Sequence, residues 1–116
     1  MEKGERYSIL LTLLADTGEN SLKTRKAIIS GGEAGLIQLI SEIALNILQG
    51  KLSISYYYKR KLSVYADVIR KISSRKTKRS QRRYLCHSNS EAVALMLKAV
   101  LPHIQALIKS HPDLLS

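Results

Sequence analysis

The chain has 116 residues, enough for one hydrophobic core and too few for two independent ones. Hydrophobic residues make up 45%, which excludes full disorder, and without Trp or Phe any core must be aliphatic. Nineteen Lys and Arg against nine Asp and Glu give a formal charge of +10, which points to a polyanionic partner, either nucleic acid or an anionic membrane surface.

The pattern predicts helices throughout, because no Val/Thr/Tyr-rich run alternates with period two. A first helix is expected over 5–16, stopped by Gly18 as a C-cap residue. Asn20 or Ser21 can cap a second helix ending near Ser30, and Gly31 and Gly32 form a break. A third helix then runs to about Gln49, with Gly50 placed as a C′ glycine. Its apolar residues Leu36, Ile37, Ile40, Ile43, Ala44, Ile47 and Leu48 follow a 3.6-residue period, so it is expected at the centre of the core. Ser53 or Ser55 can cap a fourth helix running to Ser74 along the stripe Tyr58, Leu62, Tyr65, Ile69 and Ile72. Ser88, Asn89 or Ser90 can cap a last, apolar helix to Ser110, which Pro102 should kink near residues 100–101.

The charge sits in one third of the chain. Residues 51–83 hold twelve basic side chains and one acid, Asp67. A solvated helix face normally mixes signs to form i,i+4 pairs, and this stretch does not. Lys59, Arg60, Lys61, Arg70, Lys71, Arg75, Lys76, Lys78, Arg79, Arg82 and Arg83 are therefore expected to contact phosphates. Residues 75–83 have no apolar member and read as a flexible basic linker or a helix extension formed on binding. The same run fits a nuclear-localisation signal. Tyr56 and Tyr57, beside Lys59–Lys61 in sequence, can stack bases, with helix-start packing as the alternative.

Enzyme chemistry finds little support. The lone Cys86 excludes an intramolecular disulfide framework, and Cys86, His87, His103 and His111 lack zinc-ligand spacing. Ser30, Gly31, Gly32 and Glu33 lack the lysine of a phosphate loop, and no nucleophile motif occurs. No enzymatic activity and no cofactor or metal is expected. The apolar stretch 9–14 has a neutral flank and no small-residue cleavage site, so it reads as a helix rather than a secretory signal.

At this point a resemblance enters. The segment 29–72 carries Leu39 and Ile40, Glu42, then Asn46, Ile47 and Leu48 before Gly50. Ile54 and Ser55 follow, then Lys59, Arg60, Lys61 and Leu62, Tyr65, and Ile69, Arg70 and Lys71 before a basic run. An apolar tail containing Leu101 and Pro102 closes the pattern. This series resembles a family of small basic proteins of Maverick/Polinton-type elements and adintovirus-like DNA viruses of animals. That family often has a Gly-Gly-Phe-Leu-like junction before the tail, where this chain has His87, Ser88, Asn89 and Ser90. The family has been compared with the small basic core peptides of adenovirus-like particles. The resemblance thus implies a DNA-packaging or virion-core role, in the virion and the host nucleus.

The expected architecture is all-α: four or five short helices in a small bundle. A helical core domain over 1–74 precedes a basic linker over 75–87 and a C-terminal apolar helix over 88–116 packed on the core. The expected function is sequence-independent binding of nucleic acid, with DNA favoured, through its phosphates. Two alternatives stand beside it. One is a membrane-active virion protein whose C-terminal helix enters an anionic membrane. The other is an adaptor binding an acidic capsid protein surface. Self-association into a homo-oligomer through the last helix is also compatible with its apolar face.

Overall fold

The computed structural model describes residues 2–109, and every regular element in that range is helical. In chain order these are α1 (Lys3–Leu14), α2 (Leu22–Gly31), α3 (Ala34–Leu48), α4 (Tyr56–Ser63) and α5 (Ala66–Ser73), then α6 (Arg79–Ser88), α7 (Ser90–Val100) and α8 (Ile104–Lys109). Short 3₁₀ turns at Glu19–Ser21 and Leu101–His103 lead into α2 and α8. The fold is an all-α bundle.

Local chemistry explains the boundaries. α3 ends in a Schellman arrangement: Gly50 takes φ +68°, its N–H donates to the Ile47 carbonyl, and Lys51 N–H donates to the Asn46 carbonyl. Ser55 is the cap that starts α4, its Oγ accepting from the Tyr58 N–H at 3.5 Å. α1 begins and ends two residues earlier than its periodicity suggests, with Ala15 as C-cap. Gly18 lies beyond that end at φ −66°, so it is not a left-handed cap. The break between α2 and α3 depends on Gly32, where a Cβ would lie 2.7 Å from the Ile28 carbonyl oxygen. Pro102 sits in the 3₁₀ turn that separates α7 from α8, as its missing N–H requires.

The core is one cluster reaching from Tyr7 to Ile108, aliphatic apart from the fully buried Tyr7 ring and the sulfur-bearing Cys86 and Met96. α3 contributes Leu36, Ile37, Leu39, Ile40, Ile43 and Ala44. Each buried Ile or Leu contributes roughly 1.5–3 kcal/mol. The expected centre is shared, however. α7 buries Ala92, Val93, Ala94, Met96, Leu97, Ala99 and Val100 around most of its circumference and touches α1, α2, α3, α4 and α6. A helix apolar on nearly every side must be enclosed by others. Ile47, in phase with the α3 stripe, is only half-buried near the helix end.

Two expectations are corrected. The fourth helix is two helices: α4 ends at Ser63, and Tyr65, at φ −103° and ψ 15°, leaves helical geometry before α5. The bend lets α4 lie against α7 while α5 lies along α3, which one straight helix could not do. The basic linker expected over 75–87 is helical from Arg79. α6 forms because Arg82 and Cys86, four apart, share an inward face packed on α2, α5 and α7.

Candidate nucleic-acid interface

Three short elements present the basic residues. On α4, Leu62 points into the core and Tyr58 packs against it, which turns Tyr56, Tyr57, Lys59, Arg60 and Lys61 outward. On α5, Ile69 and Ile72 are buried, so Arg70 and Lys71 face solvent in the last turn. There they also oppose the negative end of the helix dipole. The segment joining α5 to α6 exposes Arg75, Lys76 and Lys78, and Arg79 opens α6. Thr77 anchors that segment by donating through Oγ1 to the Lys71 carbonyl at 2.6 Å.

Nine of the eleven expected phosphate contacts are therefore exposed: Lys59, Arg60, Lys61, Arg70, Lys71, Arg75, Lys76, Lys78 and Arg79. Arg70 pairs with Asp67 at 3.2 Å, and both side chains are largely solvated. Such a pair holds little energy, so Arg70 can be turned toward another anion. Arg75 and Arg79 border a polar recess with Gln38, Ser41, Glu42 and Ser73.

The other two expected contacts are corrected. Arg82 is 7% exposed. Its guanidinium donates to the Ile72 carbonyl at 2.9 Å, the Ser74 carbonyl at 2.8 Å and Gln38 Oε1 at 2.9 Å. Arg83 is half-buried and donates through Nη1 to the Ile29 and Gly32 carbonyls, each at 2.7 Å. Both arginines satisfy carbonyls at helix C-termini, of α5 and α2, where intrahelical N–H donors run out. Arg25, not singled out from sequence, does the same beyond α1. It is 1% exposed and donates to the Asp16 carbonyl at 2.7 Å and the Gly18 carbonyl at 3.1 Å. A readable signal existed. Arg82 lies three and four residues before Leu85 and Cys86, and Arg25 stands likewise before Ile28 and Ile29, so each is in phase with a buried stripe.

The tyrosines divide sharply. Tyr58 packs on the core, whereas Tyr56 is 74% and Tyr57 is 58% exposed. At the helix start Tyr58 is thus the ring that packs on the core, with Tyr57 against its edge at a centroid distance of 5.2 Å. The Arg60 guanidinium lies 5.9 Å from the Tyr56 ring centroid, and Lys61 Nζ lies 4.6 Å from that of Tyr57. Both contacts fall in the cation–π range. A side-chain hydrogen bond with Tyr57 also pushes the Lys61 ammonium above its ordinary pKa.

Cys86 is fully buried, and burial pushes its thiol up to about 12. It is protonated and shielded at neutral pH, the opposite of a reactive nucleophile. No group of three or more His, Cys, Asp or Glu among the described residues is placed to hold a metal ion. His111 lies outside those residues. No single described helix is long and apolar enough to cross a membrane; α2 with its leading turn and α3 reach that length together, but bend by 112°. No protein-family model, curated protein or solved structure matches the chain.

Proposed function

We propose that the chain is a non-enzymatic, sequence-independent nucleic-acid-binding protein, acting in DNA packaging or the virion core of a DNA virus or Polinton-type element. The observation that carries this reading is the set of nine exposed cations between Lys59 and Arg79, with Asp67 as the one acid in that stretch. Cations held on short helices around a rigid core need little reordering before they meet phosphates. Each phosphate neutralised releases condensed counterions, and that release drives binding. No base edge need be read, because phosphate contacts carry no sequence information directly.

The packaging role follows from the resemblance to the Polinton-type family. The exposed Arg75, Lys76, Lys78 and Arg79 also suit nuclear import. Against the membrane alternative, the apolar residues of α7 that would enter lipid are enclosed in the core. Their extraction would expose the centre of the bundle.

The test is fluorescence anisotropy on two unrelated duplexes of equal length across a salt series, with vesicle flotation alongside. Near-equal affinities that fall steeply with salt are expected. No binding to either duplex at low salt, or flotation with anionic vesicles alone, overturns the reading.

A further inference from the structure

The outward face of α4 does more than supply charge. Tyr56, Tyr57 and Val64 are 74%, 58% and 81% exposed, and Arg60 and Lys61 lie between them. Large apolar groups left this open on a small, highly charged protein need a reason. Core packing does not provide it, since Tyr58 and Leu62 of the same helix already fill the inward positions. The rings are held in place. Tyr57 meets Tyr58 edge-to-face with centroids 5.2 Å apart, and Arg60 and Lys61 lie against Tyr56 and Tyr57.

We propose that this face is a base-stacking subsite for single-stranded nucleic acid. The Tyr56 ring receives a base, with Tyr57 as a second platform, while Arg60 and Lys61 hold the flanking phosphates. A ring stacks on any base, so the subsite is as indifferent to sequence as the phosphate contacts are. It is not indifferent to strandedness. Bases in a duplex are paired and stacked on one another, and bringing one out costs unpairing and unstacking energy that a single strand does not face. The cations beside the rings raise the local phosphate concentration, and Arg60 can extend the stack through its planar guanidinium. The inference deepens the nucleic-acid reading and rests on it, because rings alone would not hold a strand in water.

The experiment compares three labelled probes at one salt concentration: an oligothymidylate, a duplex of equal length, and an oligomer of equal length lacking bases. The proteins are the native chain, Tyr56→Ala with Tyr57→Ala, and Tyr56→Phe with Tyr57→Phe. The alanine pair is expected to lose roughly 5- to 150-fold in affinity for oligothymidylate. It should change little on the duplex or the baseless oligomer. The phenylalanine pair should retain most of the oligothymidylate affinity, since it keeps both rings. Equal affinity of the alanine pair and the native chain for oligothymidylate overturns the stacking subsite. So does an equal loss on all three probes, which would mark a change in charge presentation or folding. Both results leave phosphate binding standing. Absence of binding by the native chain to every probe overturns the phosphate reading and the subsite together. Both tyrosines are exposed, so unchanged thermal unfolding of the variants serves as the folding control.

Discussion

Arg82 donates through Nε to the Ile72 carbonyl at 2.9 Å, and the same oxygen accepts from Ser41 Oγ at 2.9 Å. One carbonyl at the end of α5 thus joins α3, α5 and α6. The arginine in that junction belongs to a run of cations, yet its work is internal. Arg83 and Arg25 repeat the device at the ends of α2 and α1. Short helices leave many terminal carbonyls per residue, and a guanidinium with five donors can gather several at once.

Arg82→Gln should therefore destabilise the fold, by about 2–4 kcal/mol, since carbonyls in a buried junction lose charge-assisted donors. Arg79→Gln, three residues earlier and exposed, should fall within about 0.5 kcal/mol of the native chain. Urea unfolding followed by circular dichroism separates the two. Equal midpoints for the native chain and Arg82→Gln would remove Arg82 from the junction.

The two glycines between α2 and α3 should behave differently. A Cβ on Gly32 meets the Ile28 carbonyl oxygen at 2.7 Å, a backbone atom that cannot swing aside, whereas Gly31 has open space. Gly32→Ala should cost about 1–3 kcal/mol by forcing the backbone apart. It would also shift the carbonyl that Arg83 holds. Gly31→Ala should be neutral or stabilising by up to about 1 kcal/mol, because it lies in the helix and limits the unfolded chain. Thermal unfolding of both variants decides the matter, and matching losses would sink the steric account.

Much of the fold is legible in the sequence. The period of α3, the cap at Ser55, the glycine after α3 and the split at Pro102 are local signals, and local signals survive folding. The break at Tyr65 was not legible, because Tyr58, Leu62, Tyr65, Ile69 and Ile72 keep a continuous helical phase across it. Tertiary contacts redirect the chain there: α4 toward α7, α5 along α3. The candidate interface was half legible. Composition locates the cations, but it cannot tell Arg79 from Arg82. The spacing of Arg82 to Leu85 and Cys86 marks it as the inward one of the two, but its partner, the Ile72 carbonyl, is a non-local fact.

Cys86 gives a pH-dependent stability. Its folded thiol is held at about 12, above its ordinary 9.0. Below about pH 9 both states are protonated and the native state keeps its full stability. As pH rises from 9 toward 12 the unfolded thiol ionises first, so stability falls by up to about 1.4 kcal/mol per pH unit. Cys86→Ala removes this dependence at the expense of a small packing loss. Urea unfolding from pH 8 to pH 11 should thus show the native chain losing stability faster than Cys86→Ala. Parallel curves would show that the thiol is not shielded.

The final prediction separates cations that bind from cations that build. If four to six exposed cations meet phosphates together, log affinity for duplex DNA should fall against log salt with a slope of about −4 to −5. Replacing Arg75, Lys76, Lys78 and Arg79 with Gln should make the slope shallower by about 2–3, since each lost contact returns about 0.9. The loss should be similar on unrelated duplexes. Stability should hold or rise slightly, because four exposed like charges are removed from a chain of formal charge +10. Gln at Arg82 and Arg83 should do the reverse, lowering the unfolding midpoint while leaving the slope close to native under conditions where the variant is folded. These two variants carry two and four fewer charges, so net charge alone predicts slope changes in proportion to charge removed. A slope change in the Arg82 and Arg83 variant half that of the fourfold variant would mean that diffuse charge, and not the exposed surface from Lys59 to Arg79, governs binding.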